Sequence, residues 1–305
     1  MSIRPSSLDE FIGQEEIKRI LHTAISSAST SKHTLGHVLF SGESGHGKTT
    51  LAQIIAKEGG VNIKIVTGYA ISKPSELISL LNNIQHGDIL FIDEIHRLKA
   101  NIEEILYIAM EDFVIDMIMP EGGNVRIPIE PFTLIGATTK MESIAGPLKN
   151  RFVYKFHFHD YTQDEKRQII KRYLKLYNIT ANDTIVSNIE EKVESTPREI
   201  HNFVVKIRDY LTAHTKHGKD TFTFNESDRA DFDSRINIEK GGLTPLHRKY
   251  LDILDEYDAP VGVKTIAVKL GVSEKSVEDD IEPLLMKLGK IEKTGKGRIK
   301  TGQNS

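Results

Sequence analysis

The chain has 305 residues, with 39% hydrophobic and 27% charged side chains, no cysteine and a formal net charge of −3. The lack of cysteine excludes a disulfide framework, a thiol nucleophile and a cysteine-ligated zinc, and no apolar run approaches the length of a membrane span. The near-neutral charge excludes polyanion binding by global attraction, so any nucleic-acid contact has to be a local patch.

The length predicts about two or three domains. The start, "MSIRPSSLDEF", has no apolar signal-peptide core, so a cytoplasmic setting is expected. The first element with chemistry is "GESGHGKTT" at 42–50. It has a phosphate-binding loop's spacing: Gly42, four residues, Gly47, Lys48, Thr49. "HVLFS" before it reads as a buried strand, and "TTLAQIIAKEGG" after it as a helix stopped by Gly59 and Gly60. Glycines on such a turn let backbone N–H groups point at phosphate oxygens, and the helix N-terminus adds its positive dipole end. Lys48 would meet the β- and γ-phosphates of ATP, and Thr49 would offer its hydroxyl to Mg²⁺.

"DILFIDEIHRL" (88–98) follows. Ile89 to Ile92 form a continuous apolar strand of the parallel-sheet type. Asp93 and Glu94 fall at its C-terminal end, where open α/β sheets place their chemistry. Asp93 would hold Mg²⁺ through water, and Glu94 would orient or deprotonate the attacking water. "DFVIDMIMPEGGNVRIPIEPF" (112–132) alternates about "PEGGN" and reads as an apolar hairpin suited to a partner, with Val114, Met117 and Met119 partly exposed. "FTLIGATT" (132–139) is a third strand ending in Thr138 and Thr139, placed to sense the γ-phosphate or the water. His157 and His159 lie at period two on one strand face, too few donors for a metal.

From about 160 the pattern turns helical. "TQDE" (162–165) is a capping box opening an amphipathic helix. "STPREIHNFVVKIRDYL" (195–211) begins another, with Pro197 in its first turn. Arg198 there opposes the helix dipole, a mild cost that pairing with an anion would offset. "NESDRADFDSRINIEKGG" (225–242) is polar and ends in glycine, which reads as a linker. Three further helices and a hairpin about Gly295 and Gly297 follow, the layout of a winged helix. Residues 287–300 hold six Lys/Arg and one acid, a net of +5. The third helix instead carries Glu274, Glu278, Asp279, Asp280 and Glu282, which phosphates would repel. DNA is therefore expected on the wing, at Lys293, Lys296, Arg298 and Lys300. The expected fold is an α/β P-loop NTPase core (1–159), a helical lid (160–238) and a winged-helix domain (239–305).

"RPSSLDEFIGQEE", "GKTTLA", "LFIDEIHRL", "AMEDF", "PFTLIGATT", "PLKNRF" and "STPR" occur in the order found in RuvB, the AAA+ motors of Holliday-junction branch migration, and the chain resembles that family over roughly residues 3–302. The C-terminal "PVGVKTIAVKLG", "IEPLL" and "GKGRIKT" are similar too. The resemblance implies an AAA+ ATPase acting as a hexameric ring on four-way or duplex DNA, with a RuvA-like partner at the 114–129 hairpin. It implies that Arg4, Pro5, Ile12 and Gly13 cradle the adenine. Gly42, Gly45, His46, Gly47, Lys48, Thr49 and Thr50 fall in Walker A, and Asp93 and Glu94 in Walker B. Thr138 and Thr139 fall at sensor 1, Arg198 at sensor 2, and Arg151 at the arginine finger that reaches a neighbour's ATP. The loop here reads "GESGHG" where the family has Gly-Pro-Pro-Gly-Leu-Gly, and the hairpin is a few residues shorter. Two other functions fit less well. A clamp loader usually ends in an all-helical collar, and a sequence-reading regulator needs a helix able to enter the major groove.

Overall fold

The computed structural model describes residues 3–31, 33–118, 124–214 and 221–301. Five strands form its main sheet: β1 (Val38–Ser41), β2 (Ile63–Thr67), β3 (Ile89–Asp93), then, after a hairpin of β4 (Val114–Ile118) and β5 (Asn124–Pro128), β6 (Thr133–Thr138) and β7 (Tyr154–His157). The order is β2-β3-β6-β1-β7, every pair parallel. Strands covered on both faces need apolar residues at every position. Leu90 and Ile92 accordingly enter one core cluster, with Leu39 and Leu134, while Ile89 and Phe91 enter the other, with Val38 and Phe40. The register sets Ser41 beside Thr138 and Thr67 beside Asp93, so these strand ends carrying polar groups share one edge.

Chain contacts divide the molecule into two compact units. The first runs to Ile169 and takes in Thr196–Arg198; the second comprises Ile170–Ser195 and Glu199 onward. In the first, Glu165 caps the helix Gln163–Leu176 by accepting from the Thr162 amide at 2.8 Å, as the capping box predicts. The hairpin pairs Val114 with Pro128 and Asp116 with Arg126. Ile115 turns fully into the core and Val114 is half-buried. Met119, read above as partly exposed, lies outside the described residues.

The second unit corrects one reading. The polar stretch after Phe224 is not a linker but the helix Glu226–Ile236. Asn225 accepts from the Ser227 and Asp228 amides, and Phe232 packs edge-on to Phe203 and Phe224. One buried aromatic among charged residues anchors it, too sparse a pattern for periodicity to reveal. Farther on come Pro245–Asp255 and Val263–Leu270, then a third helix and the hairpin Ile291–Thr294/Gly297–Lys300. The third helix is broken into Glu274–Ser276, a π turn over Val277–Ile281, and Glu282–Lys287. Pro283 has no amide hydrogen to continue an α-helical ladder through this point.

That break presents Glu282 inward. Its side chain is fully buried, accepting from Tyr250 Oη at 2.9 Å and Arg298 Nε at 2.8 Å, with Lys293 Nζ at 2.7 Å. Burial pushes its carboxyl up, but the bonds from Arg298, Lys293 and Tyr250 together outweigh this and hold it below the usual range. Burial also raises the Tyr250 phenol strongly, helped by the charge of Glu282. Arg298→Ala should therefore destabilise this unit by about 1.5–3 kcal/mol, because it removes charge-assisted bonds to a buried carboxylate that Tyr250 and Lys293 still hold. Thermal unfolding of the whole protein checks this, with Lys296→Ala as the unaffected control. A depressed carboxyl stabilises above its unfolded pKa, and that contribution is lost as pH falls through the folded value.

Candidate nucleotide site

The phosphate loop leaves β1 and enters the helix Lys48–Gly59. Gly47 sits at φ 99°, and a Cβ there would meet the Phe11 ring at 2.9 Å, so only glycine fits. Lys48 is 7% exposed and donates to the Gly42 and Glu43 carbonyls at 2.7 Å each. Burial lowers its pKa, against the opposing pull of Glu94 and Asp93. A buried cation facing loop carbonyls is a position that an anion would complete. Thr49 and Thr50 follow in the first turn, half-buried.

The loop has no prolines, and side chains lash it instead. Arg198 donates to Ser44 Oγ at 2.9 Å, and Gly45 lies against Thr196 and Arg198. His46 is 1% exposed, its Nε2 2.9 Å from Asp160 Oδ1, its ring stacked on Tyr161. Tyr161 Oη in turn donates to the His46 carbonyl at 2.8 Å. Gly13 packs against the Tyr161 ring, and beside it Ile12 is half-buried. Arg4 donates to Gln53 Oε1 at 3.0 Å, next to half-buried Pro5. The N-terminal segment thus meets the loop through Phe11, while Gly13 rests on Tyr161.

Glu94 adopts a left-handed conformation, φ 50°. Its Oε2 accepts from Thr139 Oγ1 at 3.2 Å and lies 3.1 Å from His96 Nδ1, which is 3.0 Å from Thr138 Oγ1. Burial lowers the His96 pKa more than the neighbouring Glu94 raises it. A neutral imidazole with its proton on Nδ1 suits both acceptors. Asp93 Oδ1 accepts from the Glu94 amide at 3.1 Å. The structure thus joins Glu94 to Thr139 directly and to Thr138 through His96. His96, Asp160, Tyr161 and Ser44 were not singled out by spacing; "HR" after the acidic pair was the only local signal for His96.

Arg151 stands elsewhere. It caps the helix Gly146–Asn150, pairs with Glu111 and lies 5.9 Å over the Tyr107 ring. The wing cations are less free than their charge suggests. Lys293 and Arg298 bind Glu282, Arg298 also binds Glu278, and Lys300 binds Asp255. Arg298, 13% exposed at its side chain, is held by both the Glu278 and Glu282 carboxylates. Lys296 has no ion pair among the described residues. The rings of His157 and His159 touch each other edge-to-face, 5.4 Å apart.

A glycine loop ahead of a helix, an acidic pair at the neighbouring strand end and a threonine bonded to its glutamate define a P-loop ATPase. The comparisons are more particular. Residues 3–158 match the model described as "Holliday junction DNA helicase RuvB P-loop domain", and residues 240–304 the "RuvB C-terminal winged helix domain". The chain is 39% identical to the branch migration complex subunit RuvB of Limosilactobacillus reuteri, covering 99% of this chain and 89% of that one. With its counterpart from Ehrlichia ruminantium the identity is 41%, over 99% and 90%. The solved "Thermotoga maritima RuvB Holliday junction branch migration motor" superposes with a TM-score of 0.82 at 37% identity, over 99% and 96% of the two chains. The chain belongs to the RuvB family.

Proposed function

We infer that this protein is an ATP-driven motor that migrates the branch point of Holliday junctions in recombination and DNA repair. The observation that carries the reading is that likeness to branch-migration motors spans 99% of the chain, ATPase and winged helix together. It works on DNA as a ring of identical subunits, in the cytoplasm, with a RuvA-type protein. No helix among the described residues is long and apolar enough to cross a membrane. The family models at 3–158 and 240–304 support the outer parts of a division into an ATPase domain of 1–159, a lid of 160–238 and a winged helix of 239–305. The 114–129 hairpin is the RuvA-type contact.

The site chemistry follows from its residues. Gly42, Gly45, His46 and Gly47 present the loop to the triphosphate, and Lys48 exchanges its two loop carbonyls for phosphate oxygens. Arg4, Pro5, Ile12 and Gly13 hold the adenine. The donor set fits Mg²⁺, since the Thr49 hydroxyl and Asp93 carboxylate are hard oxygen ligands. When bound, the ion neutralises phosphate charge. Glu94 takes the proton of the attacking water while Thr139 and His96 aim its carboxylate. Arg198 supplies charge beside the loop. On the wing, Lys296 meets phosphates directly, with Lys293, Arg298 and Lys300 as the neighbouring cations.

His96→Ala should lower kcat about tenfold, the worth of one positioning hydrogen bond near 1.4 kcal/mol, with KM for ATP unchanged. Steady-state ATPase kinetics check this. The function itself is tested with a labelled four-way junction. ATP, but not a non-hydrolysable analogue, should resolve it into duplex arms when a RuvA-type protein is present. ATP turnover without any junction dissociation would overturn the motor reading.

A further inference from the structure

The most exposed large hydrophobic side chain among the described residues is Tyr69, at 83%. It stands in the turn Gly68–Ala70 after β2. That turn packs on the backbone of the catalytic candidate: a Cβ at Gly68 would lie 2.5 Å from the Glu94 carbonyl oxygen and 3.4 Å from Arg97 Cβ. Arg97 is thus next to Tyr69. Lys99 donates to the Ser72 carbonyl at 3.2 Å, which brings it beside Lys73.

Arg97, Lys73 and Lys99 are exposed, and none has an ion pair among the described residues. The nearby carboxylate of Glu76 is taken up by the Ser72 and Lys73 amides, at 2.6 and 3.1 Å. Lys73 and Lys99 also stand at the N-caps of the helices Pro74–Asn82 and Ala100–Asp112. A cation at that end is opposed by the dipole, so both the helices and the lysines favour an anion there. On the wing, by contrast, Lys293, Arg298 and Lys300 already hold carboxylates.

We propose that Tyr69, Arg97, Lys73 and Lys99 form a second nucleic-acid contact, on the ATPase module itself. The three cations bind successive phosphates of a DNA strand, and the open face of Tyr69 packs on a sugar or an unpaired base. Because Gly68 rests on the Glu94 carbonyl, a strand held there bears directly on the backbone of the residue that activates water. The inference rests on the DNA-motor reading.

The chain has no tryptophan, so Tyr69→Trp places a single reporter in the patch. Its emission should be quenched when an unlabelled oligodeoxynucleotide is added at low salt. Substitution of Lys73, Arg97 and Lys99 together by glutamine should lower the slope of log K against log salt by up to about 2.7 on duplex DNA, roughly 0.9 per lost contact. ATP turnover without DNA should stay unchanged, while its stimulation by DNA falls. A silent indole reporter and an unchanged slope, in a protein that binds DNA, would place the strand elsewhere and overturn the proposal alone. A wild-type protein that neither binds DNA nor is stimulated by it would overturn the motor reading as well. If the triple variant misfolds, the emission of the Tyr69→Trp protein still decides.

Discussion

Arg151→Ala should lower ATP turnover by on the order of 10³–10⁵, the usual worth of an arginine finger. The side chain lies along the helix Ala100–Asp112 of its own chain, paired with Glu111 and set over Tyr107, rather than against its own phosphate loop. Its Nε is buried without a partner, so the guanidinium is incompletely satisfied by its own subunit. We propose that in a ring this group serves the neighbour's γ-phosphate. Mixing tests this. Arg151→Ala keeps an intact loop, and Lys48→Ala keeps an intact Arg151. Each alone is nearly inactive, and co-assembled mixtures should regain part of the activity. Glu111→Gln separates this role from a structural one, because it breaks the ion pair while leaving the guanidinium. It should keep turnover far above that of Arg151→Ala. No recovery in mixtures shown to co-assemble would sink the trans assignment.

Lys48→Ala and Glu94→Gln should fail in opposite ways. On the proposed assignment Lys48 meets phosphates in the ground state, so its loss should weaken ATP binding by about 10²-fold, the worth of a charge-assisted hydrogen bond near 3 kcal/mol. Glu94 is assigned in the same proposal to the attacking water alone, so Glu94→Gln should hold ATP while turnover drops by about 10²–10⁴. Calorimetric binding and single-turnover hydrolysis separate the two. A folded Glu94→Gln protein that cannot retain ATP would refute the assignment of Glu94 to the water.

The nucleotide module was legible because its signals are short-range. A glycine's backbone freedom, a run of four apolar residues and the spacing of Gly47, Lys48 and Thr49 each act within a few residues. The cap at Thr162 was legible for the same reason. Hydrophobic periodicity failed at 226–236, where Phe232 is the only buried residue of the helix. One side chain has no period.

Charge was legible as a count but not as a pairing. The sequence alone determined that 287–300 carries a net of +5 and that the preceding helix is acidic. Only the tertiary structure decided that Lys293 and Arg298 of the one pair with Glu278 and Glu282 of the other. Pro283 follows a π turn that leaves Glu282 facing Tyr250, Lys293 and Arg298. In the same way, the loop's His46 met Asp160, Arg151 met Glu111, and Arg97 and Lys99 were left without an ion pair among the described residues. The physical reason is range. Backbone preference and periodicity are written locally, whereas an ion pair joins groups that lie far apart along the chain, at a distance set by the packing of everything between them.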